Sequence, residues 1–235
     1  MFHALTTRQL TGQDDSHLIT MASGHQLQNA VALAFERLQH DAQNSGFELE
    51  IASSFRSFDR QRIIWDEKAT GNRAVYNAKG ESIDVSKLTQ MGIVHAIMRF
   101  SAMPGTSRHH WGTELDVFDA AAMPRDYLLK LSPQEVEPGG LFDPLHNWLD
   151  ERMASGQSYG FFRPYCSDTG GVAPERWHLS YAPLSSGCEL SCTCEVLRSV
   201  LEVENIQLWG ALDTQFDALF ERYVAVPSGW CPALG

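Results

Sequence analysis

Two short stretches of this chain carry side chains that can do chemistry if the fold brings them together. The first runs Pro104-Gly105-Thr106-Ser107-Arg108-His109-His110-Trp111-Gly112-Thr113-Glu114-Leu115-Asp116-Val117. It reads as a histidine in a glycine-containing turn that leads into a strand, with a carboxylate seven residues later between two apolar neighbours. An ionised aspartate in that setting loses hydration and needs a compensating partner, and a metal ion is a good one. The second stretch is Pro174-Glu175-Arg176-Trp177-His178-Leu179-Ser180-Tyr181, where an acid precedes a histidine by three residues and the histidine enters an aromatic-rich strand.

A catalytic zinc commonly takes three nitrogen or oxygen ligands and keeps one position for water. His109, Asp116 and His178 supply that number and type. Two neutral imidazoles and one carboxylate leave a charge of about +1 on the site, which favours ionisation of a bound water toward neutral pH. Glu175 is then the acceptor of the water's proton and its later donor to a leaving amine. Each piece has a plainer reading when taken alone. A lone histidine is more often a hydrogen-bonded core or surface residue, and Asp116 alone suits a turn or salt bridge. His110 competes with His109 for the ligand role, because spacing does not say which ring points inward. Trp111 and Trp177 read as packing residues rather than substrate platforms.

Positioning these groups requires helices and strands, and the periodicity supplies both. From His25 to about Asn44, Leu27, Val31, Ala34, Leu38 and Ala42 recur at three- and four-residue steps before Gly46, the pattern of an amphipathic helix with its stop signal. Phe47, Leu49 and Ile51 alternate with more polar neighbours, as do Leu115 and Val117 within Thr113 to Asp119; both segments are predicted strands. Gln61 to Lys68 is predicted helical, with Ser57 or Asp59 near its cap, and Leu88 to Phe100 returns to helical spacing. The polar stretch with Gly71, Asn72, Asn77 and Gly80 reads as loop or lid. Ser132-Pro133-Gln134-Glu135 has capping-box form, and Asp143-Pro144 opens a helix. Tyr159 to Pro164 is a short aromatic run, and Trp177 to Tyr181 is another short strand. Beyond Pro183, helical stretches at about 189–204 and 212–224 suggest a C-terminal pair. Strands set between helices without βαβ alternation argue for α+β.

Composition narrows the function classes. With 235 residues, 43% of them hydrophobic, the chain can close one sizeable core, and no composition shift marks a linker. The expectation is one domain over 1–235, with a core at about 25–183 and a helical extension at about 184–235. Acidic residues outnumber basic ones by 29 to 18, giving a formal charge of −11 that repels phosphate backbones and anionic lipid, so nucleic acid is not an expected partner. Membrane insertion is not expected either, since no long apolar segment or signal-peptide pattern is visible. Five cysteines (Cys166, Cys188, Cys192, Cys194, Cys231) form an odd set that suits free thiols in a reducing compartment, and the expected location is the cytoplasm. Composition leaves the oligomeric state open.

Ser107-x-His109-x-x-Gly112-x-x-x-Asp116, followed by Glu175-x-Trp177-His178, resembles the zinc D-alanyl-D-alanine carboxypeptidases of the VanY type. That family shares its fold with the Hedgehog signalling domain and with phage endolysin peptidases. The resemblance covers roughly residues 25 to 183 and implies a small antiparallel sheet flanked by helices, one zinc ion per chain held by His109, Asp116 and His178, and Glu175 as catalytic base. Ser54-Phe55-Arg56-Ser57-x-x-x-Gln61 resembles the family's aromatic-Arg-Ser segment, which implies that Arg56 holds the substrate's terminal carboxylate. A guanidinium fork suits that task. Gln61 and Ser107 match family positions near the substrate. The chain departs from the pattern at Phe55, where tyrosine is common, and at Thr113-Glu114-Leu115, where relatives often carry small or apolar residues.

The resemblance implies a muropeptide or free stem peptide as substrate, cleaved at its C-terminal D-alanine. An L,D-carboxypeptidase trimming tetrapeptides in cell-wall recycling fits a cytoplasmic location better than a D,D-carboxypeptidase, which would destroy the pentapeptide precursors of wall synthesis. A non-catalytic zinc-containing binding domain and an endolysin-type endopeptidase are the alternatives from other classes.

Overall fold

The computed structural model describes residues 4–77, 80–204 and 206–226. In chain order its elements are α1 (Thr7–Leu10), β1 (Ile19–Thr20), β2 (Gln26–Leu27), α2 (Asn29–Asn44), β3 (Leu49–Ser53), α3 (Phe58–Ala69), β4 (Val75–Tyr76), β5 (Ser82–Ile83), α4 (Gln90–Met98), β6 (Glu114–Asp119), α5 (Pro133–Val136), α6 (Asp143–Ala154), β7 (Phe161–Phe162), β8 (His178–Tyr181), α7 (Ala182–Ser191), α8 (Cys194–Glu204), α9 (Trp209–Thr214) and α10 (Phe216–Tyr223). Short 3-10 turns lie at Val85–Lys87 and Arg108–Trp111.

Period-two patterning in β6 decides the architecture. The main sheet is antiparallel, in the order β3-β6-β8-β7, and its register sets Asp116 opposite His178, Leu115 opposite Leu179 and Glu114 opposite Ser180. Because side chains alternate between faces, Leu115, Val117 and Leu179 all turn one way. They meet Val31, Phe35 and Leu38 of α2 in a buried cluster. Each such side chain contributes about 1.5–3 kcal/mol of burial, and a one-residue slip would expose the whole set. That register therefore also fixes Asp116, Glu114, His178 and Ser180 together on the opposite face. A second cluster, around Trp65, Ile97, Met98, Leu197, Leu212 and Phe216, ties α3 and α4 to the C-terminal helices.

This is the α+β architecture expected from the sequence, a small antiparallel sheet flanked by helices. The boundaries differ in instructive places. Helix α2 begins at Asn29 rather than His25, because the preceding residues pair as the β1–β2 ribbon, with the Met21 N–H donating to the His25 carbonyl at 2.8 Å. Ser57 caps α3 by accepting from the Arg60 N–H, so the helix starts three residues before Gln61. The polar stretch after Gly71 is not all loop: Val75–Tyr76 pairs with Ser82–Ile83. The expected C-terminal pair is four helices. Pro183 lies in the first turn of α7, where it costs no hydrogen bond, and the chain leaves helical geometry at Cys192 and again at Gln215. Cys231 lies outside the described residues.

Candidate metal centre

The 3-10 turn that carries His109 ends at Gly112, whose φ of +68° is left-handed. A Cβ there would run into the Leu18 side chain, so both conformation and space select glycine. From this turn the two adjacent histidines diverge. His110 spends both ring nitrogens on the backbone: Nε2 accepts from the Gly105 N–H at 3.0 Å, and Nδ1 donates to the Arg56 carbonyl. Burial pushes it down to about 3, so it stays neutral as a structural post. His109 instead uses Nδ1 to donate to the Ser54 carbonyl at 2.8 Å, which leaves Nε2 aimed at Asp116 Oδ2, 3.3 Å away. The competition left open by spacing is resolved by these hydrogen bonds.

His178 arrives from β8, directly across from Asp116. Its Nε2 donates to Glu114 Oε2 at 2.8 Å, which turns Nδ1 toward Asp116 Oδ1 at 3.1 Å. The side chains of His109, Asp116 and His178 are all buried, and their ligand atoms lie within 4.8 Å of one another. Asp116 Oδ1 and His178 Nδ1 face each other at 3.1 Å but make no well-formed hydrogen bond, to one another or to any other described residue, although orphaned buried polar atoms are rare. Tetrahedral zinc bonds of about 2.0–2.1 Å imply ligand separations of about 3.3 Å, and the two histidine-to-carboxylate separations, 3.3 Å and 3.1 Å, are of that order. A buried, closely grouped set of two imidazoles and one carboxylate, with one carboxylate oxygen and one ring nitrogen unpaired, fits a zinc ion.

Electrostatics carry the same message. Burial opposes ionisation of Asp116, but the two imidazoles hold it well below the usual carboxylate range. Burial alone would lower His178, yet the adjacent Asp116 and Glu114 carboxylates outweigh it and push it up to about 10. The cluster favours a positive charge at its centre. Burial lowers His109, with Asp116 opposing.

Glu175 lies beside this cluster, its Oε2 3.7 Å from His178 Nδ1 and its backbone N–H donating to the Tyr165 carbonyl. Burial is the main reason it is pushed up to about 7; His178 and Arg56 oppose that shift and Asp116 adds to it. Arg56, Ser107, Glu175 and the three clustered residues all line one cleft of about 1030 Å³. The Arg56 guanidinium donates to Gln61 Oε1 at 3.0 Å and to Ser53 Oγ at 3.3 Å, both neutral acceptors. Gln61 does not line the cleft. It is fully buried behind Arg56, its amide nitrogen donating to the Ala102 carbonyl at 2.6 Å, so it touches the cleft through the arginine it steadies.

Two contributors escape sequence reasoning. Glu114 stands out in the sequence only as a departure after Gly112, yet it is completely buried and accepts from His178, from Thr113 Oγ1 at 2.9 Å and from Ser180 Oγ at 2.8 Å. Arg108 lies 3.4 Å away, and with these donors it offsets the burial penalty, holding Glu114 down at about 2. The available signal is its place two residues before Asp116, on the same strand face. Tyr165 is the other; its ring packs edge-on to His178, centroids 5.2 Å apart, and no motif in the sequence marks it. Trp111 and Trp177 are buried packing residues as expected, although Trp177 also edges the cleft.

Residues 24–184 match the VanY family, described as D-alanyl-D-alanine carboxypeptidase. The match spans more than half the chain and every site residue above, and the chain belongs to that family. Among individual relatives, an uncharacterised protein of Haemophilus influenzae is 41% identical over 103 residues, covering 42% of this chain and 70% of that protein. A D-alanyl-D-alanine carboxypeptidase of Enterococcus faecalis is 26% identical over 191 residues, covering 79% of this chain and 60% of the relative. The solved structure of VanYB in complex with D-Alanine-D-Alanine superposes with a TM-score of 0.50 at 22% identity, covering 86% of this chain and 91% of that one, and shares its fold. Among the described residues no helix is long and apolar enough to cross a membrane.

Proposed function

We propose that this chain is a zinc carboxypeptidase that removes the C-terminal D-alanine from peptidoglycan stem peptides. The observation that carries the reading is the convergence of His109, Asp116 and His178, with Asp116 Oδ1 and His178 Nδ1 unpaired among the described residues, in the same cleft as Glu175 and Arg56. His109, Asp116 and His178 would hold one zinc ion, which when bound would supply Lewis-acid polarisation of a carbonyl and a lowered pKa for water. Glu175, poised by burial, takes a proton from the attacking water and passes it to the departing amine. Arg56, fixed by Gln61 but without an anionic partner among the described residues, receives the terminal carboxylate and confines cleavage to chain ends. Ser107 contributes from the cleft wall. A non-catalytic zinc-binding domain would have no use for the cleft pairing of Glu175 with Arg56.

Of the two terminal bonds, we assign the one joining a diamino acid's L-centre to D-alanine, an L,D-activity on tetrapeptides returned from wall turnover. This choice goes with work in the cytoplasm, a reducing compartment consistent with four described cysteines that are all free thiols. The D,D-reading is favoured by the description of the family and of the Enterococcus faecalis relative. Incubating the purified protein with tetrapeptide and pentapeptide stems and weighing the products distinguishes them. Loss of one D-alanine from the tetrapeptide is the expected result; cleavage of the pentapeptide alone would reverse the assignment.

A further inference from the structure

Although the chain is strongly acidic overall, the cleft wall gathers cations: Arg56, Lys68, Arg73, Arg108 and Lys130 all line it, with Arg108 set 3.4 Å from the buried Glu114. Their partners differ. Arg73 is exposed and donates to Glu67 at 2.8 Å, and Lys130 is exposed to solvent. Arg56 has the terminal carboxylate as its proposed ligand. Lys68 is left over. Half-buried on the cleft wall, its side-chain ammonium has neither an ion pair nor a hydrogen bond to any described residue. An ammonium partly withdrawn from water, with no protein acceptor among the described residues, is stabilised by a ligand that supplies an anion. Burial first, then repulsion from Arg73 and Arg56, pushes Lys68 down to about 8, with only Glu175 opposing.

Geometry says where such an anion would lie. Lys68 is on α3 seven residues beyond Gln61, the residue that steadies Arg56, so both project from the same helix face. Seven residues of helix advance about 10 Å. The cleft therefore presents Arg56 beside the metal ligands and a second, unmatched cation further along the same wall. A terminal D-alanine has one carboxylate, and Arg56 takes it. The nearest place on a stem peptide for a second anion is the residue on the other side of the scissile bond.

We infer that Lys68 reads a side-chain carboxylate on the residue preceding the terminal D-alanine, so that the preferred stem carries a diamino dicarboxylic acid there rather than lysine. The inference rests on the carboxypeptidase reading above. The chemistry discriminates by net charge: the far end of a diamino diacid carries a carboxylate that can accept from the Lys68 ammonium and that offsets its own ammonium, whereas a lysine side chain ends in an uncompensated like charge.

The test uses the zinc-loaded full chain and two tetrapeptides that differ only in whether the far carboxyl of the diamino acid is free or amidated, with D-alanine release as the readout. The free acid is expected to be preferred about 10- to 100-fold in kcat/KM, mostly through KM. K68Q should collapse that ratio toward one by losing activity on the acid, and K68R should keep it. Equal rates on the two substrates by the unsubstituted protein, or an equal fall on both in K68Q, would overturn the inference while leaving the carboxypeptidase reading intact. Release of D-alanine from neither peptide would instead bring down that reading, and this inference with it.

Discussion

Two charged clusters flank Trp177, and they are built in opposite ways. Toward α6, Arg176 donates to Asp143, Asp150, Asn147 and the Val136 carbonyl at 2.6–3.2 Å, so that its whole guanidinium fork is matched by protein. Toward β6, Asp116 Oδ1 and His178 Nδ1 are buried with no hydrogen-bond partner, and Arg56 in the same cleft has only neutral acceptors. Both clusters mix acids and bases on neighbouring residues, so composition does not separate them. Saturation does. A closed network has finished its bonding when the chain folds, and an open one still has bonds to offer a ligand.

The sharpest break in the comparison is on the open side. E175A is expected to lower kcat/KM by about 10²- to 10⁴-fold while zinc remains bound, as checked by metal analysis beside the stem-peptide assay. Because only the carboxylate accepts a proton, kcat/KM should climb with pH along an acid limb. Burial raises that limb above the ordinary 4.5 toward about 7, and a bound cation brings it back down. A pH profile with its acid limb above 7 would contradict this placement of the base.

R56A comes next. Losing a guanidinium that meets the terminal carboxylate costs roughly 2–4 kcal/mol, or about 30- to 900-fold in kcat/KM. A substrate with an amidated C-terminus should be equally poor for both proteins; if R56A hydrolyses the free acid normally, Arg56 has another job. A smaller effect is expected at Glu114. E114A should weaken zinc binding about 10- to 100-fold in chelator competition, because His178 loses the acceptor that fixes its tautomer. E114Q should lose less, since an amide oxygen still accepts from Nε2. On the closed side, R176A should lower folding stability by about 1–3 kcal/mol in denaturant melts. Its kcat/KM is expected to stay within about threefold, and a larger loss would mean that the two clusters are coupled.

Much of the open cluster is legible in the sequence itself. The intervals from His109 to Asp116 and from Glu175 to His178 survive as one site because β6 and β8 pair at Asp116 and His178. Alternation in β6 and β8 is visible as pattern, and the buried Leu115, Val117 and Leu179 fix their faces. The choice between His109 and His110 is not legible. It depends on carbonyls of Ser54 and Arg56 that lie more than fifty residues upstream and reach the histidines only through tertiary packing. The role of Glu114 is hidden for a related reason, as a glutamate in a strand usually faces water and only the pairing with β8 reveals two of its three donors, His178 and Ser180. The C-terminal breaks at Cys192 and Gln215 carry no glycine or proline to announce them, and packing against α3 and α4 sets where those helices turn.

Zinc titration of the metal-free protein, followed by calorimetry for the unsubstituted chain and for D116A and H178A, tests the central claim most directly. One tight equivalent in the unsubstituted chain, lost in both variants while their circular dichroism stays native, is the predicted result. Undiminished zinc affinity in folded D116A and H178A would contradict it.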